Sequence, residues 1–388
     1  AFTHADGSTD HFEYSPFGQL LSMRDALGRT TRYELDGLGR PVATIAPDGT
    51  ATRVTYDGDS SRVTAVTNAL GQQTQMFYDE RDRLQEQVLP NGAATHYFYD
   101  DSRLPELPTR IRDARGGINT LVWNAAGQLL SRTDCSGNTT IFRYDTLGNL
   151  LGSTDALGNT ERFEVNAKGQ TLAAHFANGS VERFAHDAQG RLIAYRNPFG
   201  YDTHWRYNVL DQPTERMDAL GHKLRYQYDA AGRLAELQNE NNDVYRFAYD
   251  VRDRLVQQSG VDERRSAFRH NAAGELIERI EHGSDPRAAS AFADTPEAQA
   301  LVNIGDGNNP PIARHTFFRY DSAGRLAAQY NRYLQTGVRE SSGRHANRRR
   351  QIVRYQYDAL GQLLEARNQS ASTQFTWDAM GNLLTETT

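Results

Sequence analysis

The chain has 388 residues, with 43 Lys and Arg against 49 Asp and Glu, and a formal charge of -6 does not advertise a nucleic-acid partner. Only 38% of residues are apolar and mean hydropathy is -0.71, too little for two or three domains with ordinary cores, yet 19 Tyr, 16 Phe and 3 Trp exclude a disordered chain. Its one cysteine, Cys135, excludes an internal disulfide, and no apolar run approaches a membrane-spanning length.

In chain order, one slot recurs from end to end. It is filled by Tyr14, Leu35, Tyr56, Tyr78, Tyr99, Trp123, Tyr144, Val165, His186, Tyr207, Tyr228, Tyr249, His270, Tyr320, Tyr357 and Trp377. Ten of the fifteen steps are 21 residues, three are 20, 22 and 24, and the last two irregular ones are 50 and 37. These exceptions are insertions into a repeat, not loss of it. Residues Ala1 to Asp10 hold neither an initiator Met nor a leader pattern, and the chain starts inside its own repeat, so a section of something longer is expected.

Within a unit, two turns alternate with two strand-length segments. From Gly148 the order is Gly148-Asn-Leu-Leu-Gly-Ser-Thr, the turn Asp155-Ala-Leu-Gly158, the segment Thr160 to Val165, and the turn Asn166-Ala-Lys-Gly169. Asp or Asn opening a tetrad that Gly closes is a type I turn signature, with Gly free to take positive φ. Asp replaces that Gly at Asp82, Asp211 and Asp253, and Asp tolerates the left-handed region better than most residues. Before the slot, rings stand two apart, as in Phe142/Tyr144, Trp205/Tyr207, Tyr226/Tyr228 and Phe318/Tyr320. Residues i and i+2 share a strand face, whereas a helix separates them.

Each unit therefore reads as a β-hairpin, and sixteen units give roughly 32 antiparallel strands of about six residues. At about 4.8 Å per strand the ribbon is on the order of 150 Å wide, and strand twist acts in one sense at every step. Such a ribbon coils into a spiral, a barrel-like wall or a stack of propeller blades. A four-stranded blade would make odd and even units differ, and here neighbours look alike, which favours the spiral. The expected fold class is all-β: continuous antiparallel β-hairpin repeats of about 21 residues, coiled into a hollow, shell-like wall. Regular repeats span 1–271, a repeat with a long insertion spans 272–317, and repeats with a basic insertion at 331–351 span 318–388.

Read as a motif, the unit resembles the tyrosine-aspartate (YD) repeat of bacterial Rhs proteins, toxin-complex C components and animal teneurins. Close matches are Tyr228-Asp-Ala-Ala-Gly-Arg-Leu234, Tyr320-Asp-Ser-Ala-Gly-Arg-Leu326 and Tyr144-Asp-Thr-Leu-Gly-Asn-Leu150, and the Asp-Ala-Leu-Gly turns at Asp25, Asp155 and Asp218 point to the Rhs branch. The structural repeat residues carried by it are Tyr144, Asp145, Gly148, Tyr228, Asp229, Gly232, Tyr320, Asp321, Gly324, Tyr357, Asp358 and Gly361. The resemblance implies a hollow spiral shell that encloses a carboxy-terminal toxin in a secreted effector, often delivered by type VI secretion. Implied partners are a cargo toxin domain of the same parent chain, the remaining shell segments, and PAAR- or VgrG-type spike components. The implied localisation is synthesis in a bacterial cytoplasm followed by secretion or delivery into a target cell. The family's Asp-Pro-x-Gly boundary motif is missing, since Asp285-Pro286 is followed by Arg287-Ala288.

The first insertion contains Thr295-Pro-Glu-Ala-Gln-Ala-Leu-Val302, with a capping Thr and Pro at the first helical position, so one short helix is expected near 295–302. The second holds Arg339, Arg344, His345, Arg348, Arg349 and Arg350 without interleaved aromatics, the pattern of a solvated loop. No catalytic, cofactor-binding or metal-binding residues emerge. Gly305-Asp-Gly307 meets Pro310 where a dinucleotide loop needs its third Gly. Asp6, Ser8 and Asp10 have calcium-loop spacing, but Phe17 stands where a Glu is required. His186 and His270 occupy the ring slot, and Cys135 sits in a turn without a local His. The expected function is thus structural, a non-enzymatic shell section; the alternative is a carbohydrate- or cell-surface-binding solenoid of stacked aromatics.

Overall fold

A computed structural model describes residues 1–261, 265–282, 312–333 and 350–388. They form 33 strands, from β1 (Phe2–Thr3) to β33 (Leu383–Thr387), and no α-helix occurs among the described residues. Every strand pairs antiparallel with its chain neighbours in one continuous sheet. The extra strand beyond the expected count is the two-residue β1, which lies ahead of the first ring slot. The helix expected near 295–302 lies outside the described residues.

Strand lengths alternate. A six-residue strand ends on the slot residue, as in β14 (Thr139–Tyr144) and β16 (Thr160–Val165), and a five-residue strand follows, as in β15 (Leu150–Thr154) and β17 (Thr171–His175). The register slips by one residue at the slot, between Arg143 and Tyr144 opposite Leu150 and again between Glu164 and Val165 opposite Thr171. Such a bulge increases local twist and bends the strand, and here it recurs in nearly every unit. The half-buried rings Phe142, Phe163, Trp205 and Tyr226 alternate with exposed residues Arg143, Glu164, Arg206 and Gln227. The buried apolar side chains are small or few (Ala43, Ala65, Ala173, Ala174, Ile280 and Ala328), and no large side chain is fully buried among the described residues. This is a wall one sheet thick, as the low apolar content requires.

Two hairpins depart from the regular lengths. Strands β27 (Leu276–His282) and β28 (Ile312–Tyr320), and then β29 (Leu326–Tyr333) and β30 (Arg350–Tyr357), run seven to nine residues. The insertions expected over 272–317 and 331–351 therefore give residues to the sheet at both ends, because the pairing register simply continues, Glu281 opposite Arg314 and Asn331 opposite Gln351.

The ribbon closes on itself. Arg29 meets Glu275 at 2.6 Å, 246 residues away in sequence. Asp6 meets Arg252 at 3.4 Å and Arg254 at 3.2 Å, and Asp48 meets Arg325 at 3.1 Å. The first member of each pair lies at a turn after a short strand and the second at a turn after a long one. One edge of the first coil thus sits on the opposite edge of the second.

Candidate functional site

The repeated element is a turn, and its chemistry is set by four residues. In the unit Tyr228-Asp-Ala-Ala-Gly-Arg233, Asp229 Oδ1 accepts the backbone N–H groups of Ala231 and Arg233, both at 2.9 Å. Its Oδ2 accepts Arg233 Nε at 2.8 Å. Gly232 closes the turn at φ 81°, and its N–H donates to the Asp229 carbonyl. Tyr228 donates its hydroxyl to the Pro213 carbonyl, 2.8 Å away at the head of the preceding short strand. The carboxylate of Asp229 and the amides of Ala231, Gly232 and Arg233 are thus bonded within the turn itself, which favours this backbone conformation over its competitors.

The other repeat residues repeat this geometry. Tyr320 and Tyr357 donate to the carbonyls of Leu276 and Leu326 at 2.8 and 2.9 Å. Asp321 and Asp358 hold the two following amides as Asp229 does, with Gly324 and Gly361 at φ 80° and 81°. Tyr144 lies opposite Leu150, Asp145 accepts the amides of Leu147 and Asn149 and the Asn149 side chain, and Gly148 has φ 91°. Asp82, Asp211 and Asp253 adopt positive φ of 65°, 62° and 61° in the closing position, as expected from their place in the tetrad.

One role was missed in the sequence. The residue after the closing Gly reaches forward to the next turn. Arg233 Nη1 donates to the Asp250 carbonyl at 3.1 Å and to Asp253 Oδ1 at 2.7 Å, and its guanidinium lies 5.0 Å from the centre of the Tyr249 ring. Arg83 over Tyr99, Arg191 over Tyr207 and Arg325 over Tyr357 do the same. Where Gln replaces Arg, its amide donates to the next closing glycine's carbonyl, as Gln128 does to Gly148 and Gln212 to Gly232. The available signal was the recurrence of Arg or Gln sixteen residues before the next slot residue, as in Arg83/Tyr99, Arg191/Tyr207 and Arg233/Tyr249.

Electrostatics follow from this bonding. The Arg83 side chain holds the Asp79 carboxyl at about 2, and Arg233 lowers Asp229 likewise. Asn149 lowers Asp145 through hydrogen bonds to its charged form. Burial raises the hydroxyls of Tyr228, Tyr320 and Tyr357. Asp79, Asp145 and Asp229 are each bonded within their own turn and spaced along one edge, not gathered at a centre.

Other candidates do not converge. Asp6 takes its own Ser8, while Asp10 takes His4 Nε2 at 2.9 Å. Cys135 is exposed in its turn, and burial pushes the His270 imidazole below its ordinary value in the ring slot. Among the described residues, no group of three His, Cys, Asp or Glu suited to a metal occurs, and there is no helix long and apolar enough to cross a membrane. The motif Gly305-Asp-Gly307 and the basic residues Arg339 to Arg349 lie outside the described residues. A depression of about 670 Å³ is lined by Gln227, Glu236, Arg246, Gln257 and Ser259, of which Arg246 pairs with Glu236 at 3.2 Å.

Against known proteins, the RHS Repeat family model matches residues 14–51, 56–94, 78–118, 123–160, 207–244 and 357–388, more than half of the chain. The Toxin protein Tse5 of Pseudomonas aeruginosa is 35% identical over 137 residues, 35% of this chain and 10% of that protein. Among solved structures, the Photorhabdus luminescens Tc holotoxin pore aligns with TM-score 0.56 at 15% identity, over 95% of this chain and 22% of that one. The TcdB2-TccC3 structure aligns with TM-score 0.57 at 16% identity, over 96% and 23%. The chain thus spans a tenth of the length of that curated relative and under a quarter of those solved chains.

Proposed function

Because this chain belongs to the RHS repeat family, we propose that it is a section of a shell wall that encloses a toxin domain at the carboxy-terminal end of a secreted bacterial effector. The observation that carries the reading is the coil closure. A one-sheet ribbon with almost no buried apolar side chains meets itself after 246 residues, which is how a wall bounds a space instead of filling it. The kinship with a toxin protein supports a toxin as cargo. Type VI delivery, with PAAR- or VgrG-type spike components as partners, is the finer form of this proposal. In it the wall itself is not catalytic, and its repeat aspartates serve turn closure.

The test is protease protection in the full-length effector. The cargo is expected to resist digestion while the wall is intact and to become digestible in mild denaturant or when several closing glycines are replaced. A cargo as sensitive inside the intact protein as it is alone overturns the reading.

A further inference from the structure

Two of the sixteen slot residues are histidines, His186 and His270. Each ends a six-residue strand, His270 that of β26 (Arg265–His270). In both, the ring Nδ1 is shielded from solvent and makes no hydrogen bond, whereas a tyrosine in the same slot, such as Tyr249, sends its hydroxyl to a carbonyl of the preceding short strand. A protonated imidazole carries N–H on both ring nitrogens. In either slot the cation would therefore bury a donor without an acceptor, at a cost a neutral ring avoids. The two sites differ in what reaches forward over them. At His186 it is the neutral Gln170, which donates to the Gly190 carbonyl at 2.7 Å, and at His270 it is the guanidinium of Arg254, which donates to the Asn271 carbonyl at 3.0 Å.

The turns on either side of His270 are also the ones that hold the facing coil. Arg254 Nη2 meets Asp6 Oδ2 at 3.2 Å, and Arg252 donates to Ser8 Oγ at 3.0 Å and to the Ala272 carbonyl at 2.7 Å. Glu275 takes Arg29 on Oε1 and the Asn271 amide on Oε2. The carboxylates around the ring are already engaged. Asp250 accepts the amides of Arg252 and Arg254 on Oδ1 and Arg254 Nε on Oδ2, Asp253 accepts Arg233, and Asp6 accepts Ser8 and the two arginines. On β27, Arg279 opposite the neighbouring Phe268 is paired with Glu281 at 2.6 Å. A charge on His270 would thus lie beside a guanidinium that the seam uses, with no acid bonded to the ring.

We propose that His270 is an acid-sensitive latch on the coil closure: when neutral it lets Arg254 hold the Asn271 carbonyl and Asp6 together, and its protonation drives the two flanking turns away from Asp6 and Arg29. The inference rests on the observed coil contacts alone and holds whether or not the wall encloses a cargo. Its direction follows from linkage. Burial and the Arg254 charge keep the imidazole below its ordinary value while the seam is closed, and an opened seam returns it to about 6.5. The closed form keeps its full stability above that value and loses it as pH falls towards the lower, closed-state one. With the proton taken only by the open form, opening is favoured about tenfold more at pH 5.5 than at pH 7.5.

The test is hydrogen exchange of the 388-residue chain at pH 7.5 and 5.5, corrected for the pH dependence of chemical exchange. Residues 4–8, 25–29, 250–254 and 271–275 report the seam, and the turns 145–149 and 229–233, each after a tyrosine slot, serve as references. Protection at the seam is expected to fall about fivefold to tenfold at pH 5.5, with the references unchanged. His270→Tyr, which installs the residue of the regular slot, should abolish the fall, and His270→Gln should do so without the tyrosine hydrogen bond. His186→Tyr should leave it intact, as should His4→Gln, which removes the imidazole that Asp10 holds at 2.9 Å beside the Asp6 turn. Equal seam protection at the two pH values overturns the proposal. So does a fall that persists in His270→Tyr and His270→Gln, or one that extends equally to 145–149 and 229–233.

Discussion

Gly148 illustrates what a single repeat residue does. Its φ of 91° is closed to β-branched side chains, and a Cβ there would lie 3.1 Å from the Gln128 amide nitrogen that donates to the Gly148 carbonyl. Gly148→Val should cost about 1–3 kcal/mol from backbone strain and also loosen the link to the preceding turn. Ala126→Val, at an exposed middle turn position, should cost well under that; equilibrium denaturation of the two variants makes the comparison. His270 offers the opposite experiment. It stands where Tyr249 elsewhere donates to the Leu234 carbonyl at 2.9 Å, and burial together with the nearby Arg254 depresses its pKa. His270→Tyr should gain about 0.5–1.5 kcal/mol from the hydrogen bond to the equivalent Leu255 carbonyl. A buried imidazole held neutral loses its contribution as pH falls through its folded value, so the variant should also lose stability less steeply below about pH 6.5. Thermal melts at pH 7.5 and 5.5 check both parts.

At the scale of the hairpin, Gly152 marks the closest approach of two strands. A Cβ on it would stand 2.2 Å from the Glu161 carbonyl oxygen in the neighbouring strand, and backbone has no rotamer with which to yield. Gly152→Val should therefore separate β15 from β16, while units several steps away stay closed because each hairpin contacts mainly its neighbours. Hydrogen exchange should accelerate in residues 150–165 and not in 223–238; acceleration in both would show that the wall opens as one unit. The third residue of the short strand also tunes charge along one face. Ala173 and Ala194 leave this row neutral, whereas Glu215 and Glu236 pair with Arg225 at 3.5 Å and Arg246 at 3.2 Å.

For the whole wall, the turn carboxylates act together under acid. Among them, Asp79 is held at about 2 by Arg83, and Asp145, Asp229 and Asp378 are lowered by their own turn bonds, all below the unfolded value of about 3.9. A depressed carboxylate contributes stability that is present above its unfolded pKa and lost as pH falls through its folded one. The carboxylate share of stability should be constant above about pH 5 and fall between about pH 4 and 2. A pH series of melting midpoints tests this; a steep carboxylate-dependent fall near pH 6 that survives in His270→Tyr would contradict it.

The strands, their turns and their antiparallel order were legible because they are local. The two-residue spacing of Phe142 and Tyr144 and the Asp145-to-Gly148 tetrad act within a few bonds, and their repetition amplifies a weak signal. Even the substitutions of Asp82, Asp211 and Asp253 for Gly were readable, since the required φ belongs to the residue itself. The forward reach of Arg233 onto Tyr249 was harder to see, because it links neighbouring units and appears only once two turns are stacked. Which edge meets which was decided by tertiary structure alone. Asp6, Arg29 and Asp48 are ordinary turn residues in sequence, and their partners lie 246 to 277 residues away. That distance is set by the twist summed over a whole coil, a geometric quantity to which every strand adds a little and that no single residue encodes.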